Sequence, residues 1–303
     1  MNLPSKTLIT IVGPTGIGKT RLSIALAQAL GCEIISCDSR QFYKEMRIGT
    51  AVPSHEELTL VKHHFIQNRS ISEDYSVGQF EKDALLLLND LFIQYDYVVM
   101  VGGSGLYVQA VLEGLDAFPD VSPQIRTELK QALEINGLEH LQEKLKQLDP
   151  ETYDQIELSN PHRVIRALEI CMETGEKYAS FKAKPKEPRP FQSILIGLDA
   201  PRKEIYKRIE LRVDAMLEEG LLEEAKLLFP HRHLNALQTV GYRELFDYME
   251  GKTTLDFALS EIKKNSRRYA KRQNTWFKRN PEIQWFDYQT ELSEILKCIH
   301  SEI

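Results

Sequence analysis

From Thr7 to Thr20 the chain reads TLITIVGPTGIGKT, and no other run restricts the possible folds as tightly. An apolar segment, residues 8–12, passes directly into Gly13, Pro14, Thr15, Gly16, Ile17, Gly18, Lys19 and Thr20, and then into the helix-forming RLSIALAQAL. This is G-x-x-x-x-G-K-[ST] in a strand–loop–helix setting. Glycines let such a loop wind tightly enough for its backbone N–H groups to converge on one anion. The following helix adds the positive end of its dipole, Lys19 a point charge, and Thr20 a hydroxyl able to hold Mg²⁺. A phosphate site of the nucleotide-binding type is therefore expected at residues 13–20.

The rest of the pattern extends this unit. Gly31 closes the first helix, residues 33–37 (EIISC) read as a second strand, and Asp38, Ser39, Arg40 and Gln41 follow at its end. After an irregular stretch, residues 77–92 read as helix and 97–101 as a third apolar strand ending in Gly102-Gly103-Ser104. Alternating strands and helices predict an α/β fold with a doubly wound parallel sheet, whose ligands gather at the carboxyl ends of the strands. Asp38 and Ser104 then fall near the phosphate loop. The third strand lacks the terminal Asp that usually helps a nucleoside triphosphatase hold Mg²⁺. Ordinary ATP hydrolysis is disfavoured, and Asp38 is left as a carboxylate available as a base.

Residues 116–190 change character. Ser122-Pro123 opens one helix, 138–148 reads as another, and Asn160-Pro161 to Gly175 carries an N-cap, a first-turn proline and a closing glycine. KAKPKEPRP at 182–190 reads as a stiff basic connector, and 193–198 returns to strand. The expected organisation is a core of residues 1–115 and 191–303 with an all-helical insertion at 116–190. The next helix, 201–219, sets Arg208 and Arg212 one turn apart, able to close over phosphate or to pair with Glu204 or Glu210.

With 303 residues, 42% of them hydrophobic, the chain can bury a large core. Its apolar runs are too short and interrupted to span a bilayer, and the first strand starts too near Met1 to leave space for a leader. Four cysteines without ligand spacing read as reduced thiols, so a cytoplasmic monomer is expected. The net charge of −6 conceals KKNSRRYAKRQNTWFKR at 263–279, with eight Lys/Arg and no acid. Projected as a helix, Lys264, Arg268, Lys271, Arg272 and Arg279 share one side, and Leu259, Ile262, Tyr269, Trp276 and Phe277 share the other. An acid-free stripe on an otherwise acidic protein points to a polyphosphate partner such as RNA.

Together the motifs resemble the tRNA dimethylallyltransferases of bacterial type. The likeness runs over nearly the whole chain: GPTGIGKT, ISCDSRQFYKEMRIGTAVP, VGGSGLYVQAVLEGL, NPHRVIRALEI, QTVGYRE and KRQNTWFK. His162 stands where the family usually has Gln, and Ser104 where Thr is common. The metal-finger role that eukaryotic relatives carry in an extension is not expected to carry over.

The resemblance implies transfer of a dimethylallyl group from dimethylallyl diphosphate to N6 of adenine 37, beside the anticodon, in tRNAs reading codons that begin with U. Asp38 would be the base, Ser104 would orient the amine, and Arg212, Lys19 and Thr20 with Mg²⁺ would stabilise the departing diphosphate. The anticodon stem-loop would be gripped by Asp38, Ser39, Arg40 and Gln41, and by Arg126 with His162, Arg163, Val164, Ile165 and Arg166. Gln238, Thr239, Val240, Gly241, Tyr242 and Arg243 would add to this, as would Lys271, Arg272, Gln273, Asn274, Thr275, Trp276, Phe277 and Lys278. Competing readings are an adenylate isopentenyltransferase, which needs neither insertion nor stripe, a small-molecule kinase, and a non-catalytic RNA-binding module.

Overall fold

The computed structural model describes residues 6–182 and 187–302. In chain order its elements are β1 (Thr7–Val12), α1 (Lys19–Leu30), β2 (Ile34–Ser36), α2 (His55–Leu60), β3 (His63–His64), α3 (Val77–Gln94), β4 (Tyr97–Val101), α4 (Gly105–Glu113), α5 (Pro123–Leu148), α6 (Pro150–Gln155), α7 (Pro161–Thr174), β5 (Gln192–Asp199), α8 (Arg202–Glu218), α9 (Leu221–Leu228), α10 (Tyr242–Met249), α11 (Leu255–Phe277), β6 (Gln284–Asp287) and α12 (Leu292–Ser301). Short 3₁₀ turns fill some of the intervals.

The six strands are parallel in the order β3-β2-β4-β1-β5-β6. All six residues of β1 are buried, as a strand covered on both faces requires. Its side chains alternate between two cores: Leu8 and Val12 pack with Phe42, Phe80 and Met100, whereas Ile9 and Ile11 pack with Leu26, Val99 and Ile196. From β1 the chain runs outward on one side through β2 and β3, returns to β4, and then crosses to β5 on the other side. That reversal opens a crevice at the carboxyl end of β1, where the phosphate loop lies.

Two strands lie beyond the expected ones. β3 is two polar residues long, and β6 is an edge strand whose residues are only partly covered. Neither gives a long apolar run.

The chain divides into two compact units, Met1–Glu113 with Arg189–Ile303, and Gly114–Pro188. The second unit has its own core of Leu129, Leu141, Leu145, Val164 and Leu168 and carries no strand among the described residues. Gly137, at φ 79° and ψ 177°, breaks α5 where the sequence anticipates two helices. Asn160 Oδ1 accepts from the His162 and Arg163 N–H groups, and Gly175 ends α7 in the left-handed region. Part of the connector read at 182–190 lies outside the described residues. No helix among the described residues is long and apolar enough to cross a membrane.

Candidate active site

The loop after β1 is shaped by backbone demands. Gly13 has φ 140°, and a Cβ on it would lie 2.6 Å from the Leu198 carbonyl oxygen of β5, so no other residue fits. Gly18, at φ 109°, turns the chain into α1 and leaves the first-turn amides of that helix for an anion. Lys19 Nζ donates to the Gly13 and Pro14 carbonyls at 2.9 and 2.8 Å. Burial lowers its pKa to about 8 against the pull of Asp38.

Two arginines of α8 complete the loop's surroundings. Arg208 Nε donates to the Gly16 carbonyl at 2.7 Å, and Arg212 Nη1 donates to Thr15 Oγ1 at 2.9 Å. Glu210 instead takes Arg267 at 2.6 Å, leaving both α8 arginines to the loop. Burial works against the charge on Arg212, and Asp38 supports it.

Asp38 follows β2, and its Oδ1 accepts the Arg40 N–H at 3.0 Å, the Asx turn that fixes the carboxylate. Ser104 Oγ, beyond β4, accepts the Ser39 N–H and donates to Ser39 Oγ, both at 3.1 Å. The loops after β2 and β4 are thereby joined, as the topology anticipates.

Two cavities meet at these residues. The first, of about 720 Å³, contains the phosphate loop, Thr20 and Arg208, with Ile48, Val52, Leu211 and Ala215 as apolar wall. The second, of about 350 Å³, is lined by Ser39, Arg40, Gln238, Thr239, Val240, Gly241, Arg243, Tyr269 and Arg272. Thr15, Asp38, Arg212 and Met216 line both. Tyr269, held by burial and Asp38 at a pKa of about 12, keeps its phenol proton at neutral pH.

Several sequence-selected residues have other work. Tyr242 is fully buried and donates to Glu224 at 2.6 Å; Phe277 is buried in the sheet core; Val164 lies in the core of the helical unit. These three present no surface to RNA. Gln273, also buried, bonds to the phosphate loop. Gln41 Nε2 holds the Thr50 and Ala51 carbonyls, and Arg40 Nη1 those of Asn235 and Ala236, both at 3.1 Å. In the helical unit, Arg126 and Arg166 both bond to buried Glu169 while their side chains stay half-exposed. Ile165 packs against that core, His162 is exposed, and Arg163 reaches Glu157 at 3.8 Å.

Of the five residues projected onto the basic stripe, Lys264 alone is ion-paired among the described residues; the other ion pairs of the segment 263–279 lie off the stripe. Lys263 pairs with Asp214, Lys264 with Glu261, Arg267 with Glu210 and Lys278 with Asp199, at 2.6–2.8 Å. Arg268, Lys271, Arg272 and Arg279 stay exposed and pair with no carboxylate among the described residues. Arg272 also lines the second cavity. Trp276, placed by helical projection on the apolar side, is 40% exposed, and Tyr269 is 36% exposed. Asn274 donates to Asp199, and Thr275 to the Lys271 carbonyl.

Sequence reasoning missed Glu224. Its carboxylate accepts the Arg47, Ile48 and Gly49 N–H groups at 2.8–2.9 Å as well as the Tyr242 hydroxyl, pinning the turn that walls both cavities. Nothing in its surroundings in α9 marks it out. His63 also lines the first cavity.

Comparison with known proteins agrees with this geometry. The model of the IPP transferase family matches residues 41–280. A tRNA dimethylallyltransferase of Flavobacterium johnsoniae is 58% identical over 300 residues, 97% of each chain. One from Cytophaga hutchinsonii is 45% identical over 303 residues, all of this chain and 99% of the other. The crystal structure of a tRNA isopentenylpyrophosphate transferase from Bacillus halodurans superposes with a TM-score of 0.72 at 39% identity, covering 98% of this chain and 95% of that one. A eukaryotic dimethylallyltransferase acting on tRNA gives 0.80 at 28% identity, covering 95% of this chain and 75% of that one. A phosphate loop beside a strand-end carboxylate, and likeness along the full chain at these identities, have one explanation: this chain belongs to the IPP transferase family.

Proposed function

We propose that the chain transfers a dimethylallyl group from dimethylallyl diphosphate to N6 of adenine 37 in the anticodon loop of tRNAs that read codons beginning with U, as a cytoplasmic monomer. The observation that carries this is the wall shared by the two cavities, where Asp38 and Arg212 face both. A diphosphate in the phosphate loop sets its prenyl chain along Ile48, Val52 and Leu211. An adenine in the second cavity meets it at Asp38.

In this reading the allylic C–O bond breaks as the N6–C bond forms, and the N6 proton passes to Asp38. A well-placed base contributes about 10²–10⁴-fold. Ser104 orients the amine. Charge growing on the diphosphate is met by the loop amides and by Lys19, Arg208 and Arg212, which all gather on that loop. The donor set suits Mg²⁺: Thr20 offers a hard oxygen in the first turn of α1, and a diphosphate supplies the others. When bound, the ion adds positive charge beside the leaving group. To enter the second cavity the base must leave the loop stack, a movement open to single-stranded nucleotides. Arg268, Lys271 and Arg272 on α11 and Arg126 and Arg166 on the helical unit would hold the flanking phosphates.

Purified protein given labelled dimethylallyl diphosphate and unmodified tRNA should produce labelled tRNA and free diphosphate. Label on AMP in place of tRNA would favour the adenylate enzyme. Hydrolysis of labelled ATP with no prenyl transfer would favour the kinase.

A further inference from the structure

Thr15 is held from two sides. Its hydroxyl accepts from Arg212, and its backbone N–H donates to Gln273 Oε1 at 2.8 Å. The other end of the same amide, Gln273 Nε2, donates to the Gly103 carbonyl at 2.9 Å, one residue before Ser104. Gln273 is 6% exposed, so both bonds are shielded from water. An amide is the neutral side chain that offers a donor and an acceptor at one tip, which this slot requires. Gly103 is shaped to admit it: a Cβ there would lie 2.1 Å from Gln273 Nε2.

The strut comes from α11, the helix that also carries exposed Arg268, Lys271 and Arg272. One rigid element thus bears the cationic face on one side and a buried bond to the phosphate loop on another. On the reading of the site given above, we propose that Gln273 is a positioning residue that couples RNA docking on α11 to diphosphate binding in the loop. RNA held by α11 fixes Gln273, and Gln273 fixes the loop at Thr15. The loop then has less freedom to lose when the diphosphate arrives, so each ligand tightens the other. The effect is reciprocal by linkage.

The test uses the full chain, inorganic diphosphate with Mg²⁺, and an unmodified anticodon stem-loop RNA. Each ligand is titrated calorimetrically with and without the other. In the wild type, each should tighten the other by the same factor, about fivefold or more. Gln273→Leu loses both polar atoms and ends one bond short of where they lie. It should bind the stem-loop alone within about threefold of wild type and diphosphate alone more weakly, because the loop is no longer held at Thr15, with the mutual factor reduced to about one. Gly103→Ala displaces the amide without altering Gln273 and should give the same loss; it carries the test if Gln273→Leu melts early. A wild type without mutual tightening, or folded variants that keep it, would overturn the coupling. A wild type that binds neither ligand would instead overturn the functional reading beneath it, a result of visibly different kind.

Discussion

Asp38→Asn tests the proposed base apart from everything else at its position. The carboxylate's structural duty is one hydrogen bond, Oδ1 accepting the Arg40 N–H at 3.0 Å, and asparagine retains an oxygen to accept it. The turn, and with it Ser39 and Ser104, should persist. What disappears is a group able to take the N6 proton, whose contribution of about 10²–10⁴-fold corresponds to about 2.7–5.4 kcal/mol of barrier. A second effect has the opposite sign. Asp38 favours the charged forms of Lys19 and Arg212, and its own negative charge also opposes an incoming diphosphate. Its removal lifts that repulsion but also withdraws support for the Lys19 charge, so at pH 7, below the Lys19 pKa of about 8, diphosphate should bind about as tightly as before. The assay is single turnover, with enzyme in excess over labelled dimethylallyl diphosphate and saturating tRNA, alongside thermal melts with and without diphosphate and Mg²⁺. The expected outcome is a rate lowered by about 10²-fold or more, with unchanged melting and full protection by diphosphate. A rate within about threefold of wild type would remove Asp38 from the chemistry. A loss of rate matched by loss of protection would make it a binding residue.

The remaining predictions probe the loop and α11. With its pKa lowered to about 8 by burial, Lys19 is charged below that pH and loses its charge as pH rises through it, so donor affinity should decline above about pH 8. Lys19→Ala should bind weakly with no such decline, and a wild-type affinity flat to about pH 10 would refute the assignment. The unfolded chain binds more protons between about 8 and the ordinary value of 10.5, so this same group favours folding as pH rises across that window. Phe277→Ala should cost about 3–5 kcal/mol in urea unfolding, and Trp276→Ala, 40% exposed, clearly less; equal losses would contradict the burial difference. Neutralising Arg268 or Lys271 should weaken stem-loop binding and lower the salt slope of log K by about 0.7–0.9, whereas Lys264→Gln, already paired with Glu261, should change it less. Affinity and slope unchanged from wild type for the Arg268 and Lys271 variants would make the stripe an ordinary solvated face.

What the sequence revealed, and what it hid, divides by the reach of the interactions. The phosphate loop, the buried strands, the break near residue 138 and the ends of α7 are written in residues a few positions apart, because turns, caps and periodicity are local rules. β3 and β6 are edge strands fixed by β2 and β5, so neither needs an apolar run of its own. The stripe looked free of acids within its own segment. Glu261 in the preceding turn of α11 neutralises Lys264, and carboxylates of α8 and of the end of β5 neutralise Lys263, Arg267 and Lys278 beside the stripe. The same limit applies inside KRQNTWFK. Nothing local separates Gln273, whose amide meets backbone groups 258 and 170 residues away, from Trp276 one turn further on, which keeps an exposed face. A buried polar side chain must find the donor and acceptor it can satisfy, and chain folding alone decides which groups those are. Contiguity in a motif therefore marks residues that share a neighbourhood but leaves their tasks open, and in this helix one residue bonds to the phosphate loop while Arg272 and Trp276 keep exposed side chains.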